Sequence, residues 1–250
     1  MLDFVKIVVE LEAKDAFRIG AGGGRAEPGG VDNEVFRLVN SNGRYDVLVP
    51  GSSLKGVFRN SLYALQKRIT GKKCGIGSET SCNMENCFVC DTYGGTKKAS
   101  RVFFENLSGT AKTGIKYEVR IDYNTGMAGG GGPRQMEYVA KHSTFTGYIT
   151  CRDVELANIG AILVTINELH LGLRRLGGGK SRGFGQVDMK AAGVEVLSSD
   201  GLDTALQQYF DEDKGASSVL LKRYQLKKDQ YDAFQELCIN EMVKKLNGIK

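Results

Sequence analysis

Four cysteines, Cys74, Cys82, Cys87 and Cys90, fall in one short polar stretch that ends in C-x-x-C. Four thiolates match a closed tetrahedral zinc site. The surrounding segment, KKCGIGSETSCNMENCFVCDTYGGTKKAS, has no apolar period with which to order itself, so a bound metal would supply that order. Four thiolates leave no open ligand position, which makes such a metal structural rather than catalytic. Disulfides, a redox C-x-x-C pair and an iron–sulfur cluster are the alternatives. Nothing in the chain points to export, and no thioredoxin-like context surrounds the pair. Cys151 and Cys238 are isolated and read as core residues.

Two basic elements could hold phosphates. In VPGSSLKGVFRNSLYALQKRITG (residues 49–71), Pro50 and Gly51 stop an apolar run, Ser52 or Ser53 can cap the helix that follows, and Gly71 suits its end. Leu54, Val57, Phe58, Leu62, Leu65 and Ile69 recur at helical spacing as a buried stripe. Lys55 and Arg59, four apart, share a face beside that stripe, near a helix start whose free N–H groups and dipole favour an anion. A solvated basic patch on an ordinary helix would account for the same pair. The second element, GGGKSRGFG (177–185), sets Lys180 and Arg182 among glycines that allow close backbone approach to a phosphate. A flexible connection with solvated charges is the plain alternative. It is not a Walker loop, because a helix precedes it and a strand follows.

Among the carboxylates, Asp32 stands in the glycine-rich loop FRIGAGGGRAEPGGVDNEVF. There it could bind a divalent cation, orient a 2′-hydroxyl, or simply form a turn. Asp122 carries the same ambiguity. His142 and His170 belong to no Ser/His/Asp or Cys/His pattern and read as structural.

The elements that must position these groups follow from periodicity. Residues 4–13 alternate as a strand, with Ile7, Val9, Leu11 and Ala13 on one face. A second strand (Tyr45–Val49) enters the helix above, and Arg101–Leu107 and Ile115–Ile121 resume strand character. Residues 122–142 read as a hairpin arm or a long mobile loop, with Ser143–Cys151 its return strand. Leu156–Leu173 is a second helix striped by Ile159, Ile162, Leu163, Ile166 and Leu169, with Arg174 and Arg175 at its C-terminal end. A last strand lies near Phe184–Met189. This order is an α+β, ferredoxin-like (RRM-like) βαββαβ plan, on which many RNA-binding modules are built. Past Ser198, Leu202, Leu206 and Phe210 suggest a short helix, and Asp229 begins a longer one with Tyr231, Phe234, Leu237, Cys238 and Met242 inward. The expected organisation is one ferredoxin-like domain, 1–197, with a zinc-binding insertion (72–98) and a hairpin (115–145), followed by a helical extension, 198–250.

The chain has 250 residues and a net charge of +5, a mild lean toward a polyanionic partner. No run approaches the length of a membrane span, and MLDFVKIVVELEA mixes charge with apolar residues unlike a signal peptide, so the cytoplasm is the expected location.

VPGSSLKGVFR resembles the signature of the RAMP superfamily, the RNA-binding subunits of CRISPR effector complexes. GGVDNEV, IDYNTGMAGGGGPRQMEYV and LGGGKSRGFGQV look more narrowly like the backbone subunit of type III complexes, which lines up in several copies along a guide RNA. The resemblance covers residues 4–195 and implies that Ser53, Lys55 and Arg59 hold guide phosphates, joined by Gly178, Gly179, Lys180, Ser181 and Arg182. It implies that residues 122–139 form a thumb hairpin that interrupts the guide–target duplex, with Arg134 on it and Met136 a candidate wedge. It also implies that Asp32 cuts target RNA, with Mg²⁺ or a similar ion as cofactor beside the structural Zn²⁺. The implied partners are guide RNA, single-stranded target RNA, other effector subunits and further copies of the chain, with no membrane. The rival expectations are a non-catalytic scaffold of the same kind, a repeat-processing ribonuclease using His142 and His170, and a zinc-stabilised interaction protein.

Overall fold

The alternating N-terminal run forms β1 (Leu2–Ala13), with Val5, Ile7, Val9, Leu11 and Ala13 buried on one side. In a computed structural model, residues 1–22, 31–75, 82, 84–129, 133–215 and 221–249 are described. A ribbon of β2 (Arg37–Val39) and β3 (Tyr45–Val47) leads into α1 (Gly51–Thr70), followed by α2 (Phe88–Tyr93), β4 (Val102–Phe104) and β5 (Ser108–Thr110). Then come β6 (Thr113–Glu118), β7 (Arg134–Val139), β8 (Thr144–Val154), α3 (Leu156–His170) and β9 (Val187–Ser198). The chain closes with α4 (Thr204–Gln207), β10 (Phe210–Glu212), β11 (Lys222–Leu226) and α5 (Tyr231–Asn247).

The main sheet runs β10-β11-β9-β1-β8-β4, with every neighbour antiparallel and β5 also on β8. Its inner part, β9-β1-β8-β4, has the strand order of the ferredoxin-like plan, with α1 and α3 as its two connecting helices. The stripe of α3 is buried as its spacing predicts, and Leu54, Phe58 and Leu62 of α1 join the same core. Among the described residues, no helix is long and apolar enough to cross a membrane.

Four expectations about elements change. The hairpin's return strand is β7, paired with β6 from Thr113–Val139 to Glu118–Arg134. The stretch 143–151 belongs instead to β8, which puts Phe145, Ile149 and Cys151 into the core along β1. The segment past Ser198 is not a purely helical appendage, because β11 pairs with β9, β10 extends the sheet, and α5 buries Phe234, Cys238, Met242 and Leu246 in the common core. Gly160 is where α3 meets α5, since a Cβ there would lie 2.2 Å from the Cys238 carbonyl oxygen.

The cysteine segment is also less polar in place than its composition suggests, with Phe88, Val89 and Tyr93 of α2 fully buried. Finally, no serine caps α1. The Pro50 carbonyl accepts from Ser53 and Leu54 N–H, and the side chain of Asn106 accepts from Gly51 N–H at 2.9 Å. Glycine is required at 51, because a Cβ would sit 2.2 Å from the Phe104 carbonyl oxygen. Gly71 closes the helix in the left-handed region, as its position predicts.

Candidate nucleic-acid interface and metal centre

At about 100° per residue, α1 divides its polar residues between two flanks. Ser53, Gly56 and Asn60 fall on one, Lys55 and Arg59 on the other, with Leu54, Phe58 and Leu62 facing the core between them. The first flank borders a cavity of about 850 Å³. Across from it stand Arg174, Arg175, Gly177, Gly178 and Lys180, with Arg18 contributed by the segment after β1. Four of the lining residues are cations and none is acidic.

The wall opposite α1 is built from backbone. The Arg18 carbonyl accepts from Gly178 N–H at 2.8 Å, the Ala16 carbonyl from Gly185 N–H at 2.8 Å, and the Gly185 carbonyl from Leu176 N–H at 2.9 Å. Gly177 has φ 82°, and a Cβ there would lie 2.1 Å from the Arg18 carbonyl oxygen, so only glycine lets this loop close on the segment after β1. Arg174 reaches the Glu168 carboxylate and donates to the Asn60 side chain at 3.1 Å, tying the loop to α1. Arg175 donates to the Phe184 carbonyl. Phe184 itself packs edge-on against Tyr138, with the Lys116 ammonium 5.0 Å from its ring centre, so the loop leans on the hairpin. Lys180, Ser181 and Arg182 are exposed, and Arg182 comes within 3.9 Å of Glu118 on β6.

Asp32 is exposed, and one of its carboxylate oxygens accepts from Gln135 N–H at 2.8 Å. Its neighbour Asn33 bridges to Met136 of β7 and accepts Arg18 Nη2 at 3.1 Å, which joins the Asp32 loop to the cavity. The carboxylate of Glu137 accepts Val35 N–H at 3.1 Å and both Nη groups of Arg37. Burial pushes the Glu137 carboxyl up, but Arg37 and the Val35 N–H outweigh it and hold it below the usual range. Gly23, Gly24, Gly29 and Gly30, and the glycines at 130–132, lie outside the described residues.

Met136 does not suit a wedge, since it is 7% exposed in the hairpin stem. The exposed apolar groups of the hairpin are Ile115, Tyr117, Val119, Ile121, Tyr123 and Met127, with Tyr123 99% exposed. Arg134 is exposed opposite Glu118. Asp122 forms a turn, accepting from Asn124 and Thr125 N–H, and these bonds lower its pKa. His142 and His170 each bond a carboxylate, of Glu12 at 3.1 Å and Asp188 at 2.6 Å.

The second flank of α1 faces the cysteines. The sulfurs of Cys74, Cys82, Cys87 and Cys90 all lie within 4.8 Å of one another, and those of Cys74 and Cys90 are 3.5 Å apart. Sulfurs on a tetrahedral zinc, at its usual bond length, stand about 3.8 Å apart, so the four residues fit such an ion. All four thiols are free, and they form the one cluster of metal-binding groups among the described residues. Burial pushes the Cys82 thiol up, but N–H groups of Gly75 and Met84 outweigh it and bring it to about 7. Burial and Cys90's neighbour Cys74 push Cys90 up. Lys55 donates to the Ser100 hydroxyl at 3.1 Å, and burial together with Arg59 lowers its pKa. Arg59 donates to the Gly94 carbonyl at 2.8 Å. Lys55 and Arg59 therefore do not converge with Lys180 on the cavity. Of the expected phosphate contacts, the structure brings Ser53, Gly178 and Lys180 together and turns this pair the other way.

Neither Arg18 nor Asn60 is legible as a site residue in the sequence, and Arg174 and Arg175 read there only as helix-end charges. The one signal is position, since Arg18 lies in the short segment after β1 that receives the glycine loop.

A family model described as the RAMP superfamily matches residues 10–188, well over half of the chain, from within β1 into β9. No curated protein matches the chain.

Proposed function

The chain belongs to the RAMP superfamily, and on that premise we propose that it is a guide-RNA-binding subunit of a CRISPR ribonucleoprotein, of the backbone kind in type III complexes. The observation that carries this reading is the cavity between α1 and the 174–180 loop, which is lined by four cations and no acid. A ribose-phosphate strand suits it. Ser53 and the glycine-loop backbone offer neutral donors, Arg18 and Lys180 offer charge, and Arg174 and Arg175 hold the walls together. Arg182 and Arg134 extend the basic surface toward the hairpin, where Tyr123 and Met127 are among the exposed groups able to unstack a base. The four cysteines hold a structural zinc.

Asp32 is the residue of the proposed cleavage. The target's 2′-hydroxyl, beside the splayed nucleotide, attacks the adjacent phosphorus. The bond to the 5′ oxygen breaks, leaving a 2′,3′-cyclic phosphate and a 5′-hydroxyl. Asp32 takes the hydroxyl proton or offers an oxygen ligand to a divalent cation such as Mg²⁺, for which one exposed carboxylate is an adequate protein share. Unstacking is needed because in-line attack is poorly set up within a regular duplex.

The second reading, a scaffold without chemistry, is favoured by the single hydrogen bond that anchors Asp32 and by the lack of a carboxylate cluster around it among the described residues. Asp32→Ala in the assembled complex separates the two. The cleaving subunit keeps target binding and loses cleavage by about 100-fold or more, whereas undiminished cleavage assigns the scaffold role. RNA that co-purifies with the chain should carry CRISPR repeat sequence, and its absence would remove the reading altogether.

A further inference from the structure

We infer that Arg59 and Gln66 serve the cysteine centre from α1, as positioning partners of the metal-bound thiolates, rather than serving the guide strand. This rests on the reading of Cys74, Cys82, Cys87 and Cys90 as a metal site. Four thiolates around a divalent ion carry a net double negative charge, and such a centre is steadied by donors and cations placed against its sulfurs. Helix α1 supplies both. Arg59 Nη2 lies 4.0 Å from Cys90 Sγ. The same guanidinium is fixed by the Gly94 carbonyl at 2.8 Å and the Tyr93 carbonyl at 3.4 Å, at the end of the short helix that carries Cys90. Gln66, seven positions on and on the same flank of α1, is 0% exposed. Its Nε2 is 3.7 Å from Cys87 Sγ, and its Oε1 accepts Val89 N–H at 3.2 Å. Among the described residues Arg59 pairs with no carboxylate, so its charge is left for the sulfurs. Lys55 completes the row through Ser100, whose backbone packs against Gly94.

The test uses the full chain loaded with Co²⁺ in place of zinc, with metal retention read by chelator competition. Wild type gives the absorption of a four-thiolate cobalt centre; if it does not, the metal site itself is wrong and the role of Arg59 falls with it. Arg59→Gln should release metal at about 10-fold lower chelator concentration and shift the sulfur-to-cobalt charge-transfer band, and Arg59→Lys should recover part of both. Should Arg59→Gln fail to fold, Gln66→Met should show the same two changes. A wild-type band with wild-type retention in a folded variant overturns the inference. So does a guide-RNA salt slope that falls by about one unit while metal retention stays unchanged, since that would set Arg59 on a phosphate.

Discussion

The glycine loop at 174–185 and the four cysteines lie against two flanks of the same helix, and both stretches of sequence are short of apolar period. They are ordered by different means. The loop is closed by backbone bonds to Ala16 and Arg18 and by a glycine that admits the Arg18 carbonyl, so its shape is a property of the fold. The cysteine segment anchors α2 in the core, but its four sulfurs lie together with no backbone ladder between them among the described residues, and side chains of α1 reach Cys87 and Cys90. A loop closed by backbone bonds keeps its shape whatever it binds, whereas a segment that rests on metal-bound thiolates would be conditional on the ion. The two basic residues near the start of α1, Lys55 and Arg59, both face the cysteine side, while Ser53, Gly56 and Asn60 face the cavity, so position on the helix rather than charge decides which neighbour each meets.

The largest effect expected is from metal removal. Chelation, or Cys90→Ser, should strip amide-exchange protection from residues 84–100 and cost about 3 kcal/mol or more of stability, while amides of 176–185 keep theirs. Equal loss in both regions would break the contrast. Next is Gly177→Ala, which forces the loop off Arg18 and should cost about 1–3 kcal/mol. Guide affinity should drop with metal retention unchanged, and calorimetry with a guide strand beside a chelator titration reads both.

The smallest effect concerns the clamp beneath Asp32. Glu137 has a depressed pKa in the fold, so its contribution is present above its ordinary value of 4.5 and is lost as pH falls through the lower folded value. Glu137→Gln should lower stability at neutral pH by roughly 1–2 kcal/mol and leave a shallower loss in acid. Melting curves across pH 3–7 would show it, and a variant as acid-sensitive as wild type would remove Glu137 from the clamp.

The framework was largely legible in the sequence, because β1, α1 and α3 are long enough for burial to write a clear period, Gly71 has one local meaning, and the four cysteines expected to gather do so. What local pattern could not carry was choice among equals. Both 134–139 and 144–154 alternate, and only pairing with β1 decides that the second is a core strand. Lys55 and Arg59 share a face with each other, yet which neighbour that face meets is set by where α2 and the glycine loop pack. The cap from Asn106 and the carbonyl of Arg18 come from distant segments, and β10 and β11 are too short to show a period. Met136 reads as an exposed arm residue, yet it is buried in the hairpin stem, where its backbone bridges to Asn33.

The most direct test of the account is ultraviolet crosslinking of the purified ribonucleoprotein, with the attached peptides identified by mass spectrometry. Guide RNA should crosslink to peptides holding Arg18, Ser53–Asn60 and Leu173–Arg182, on both walls of one cavity. Crosslinks confined to the cysteine segment or the outer sheet strands, with that cavity unmarked, would contradict it.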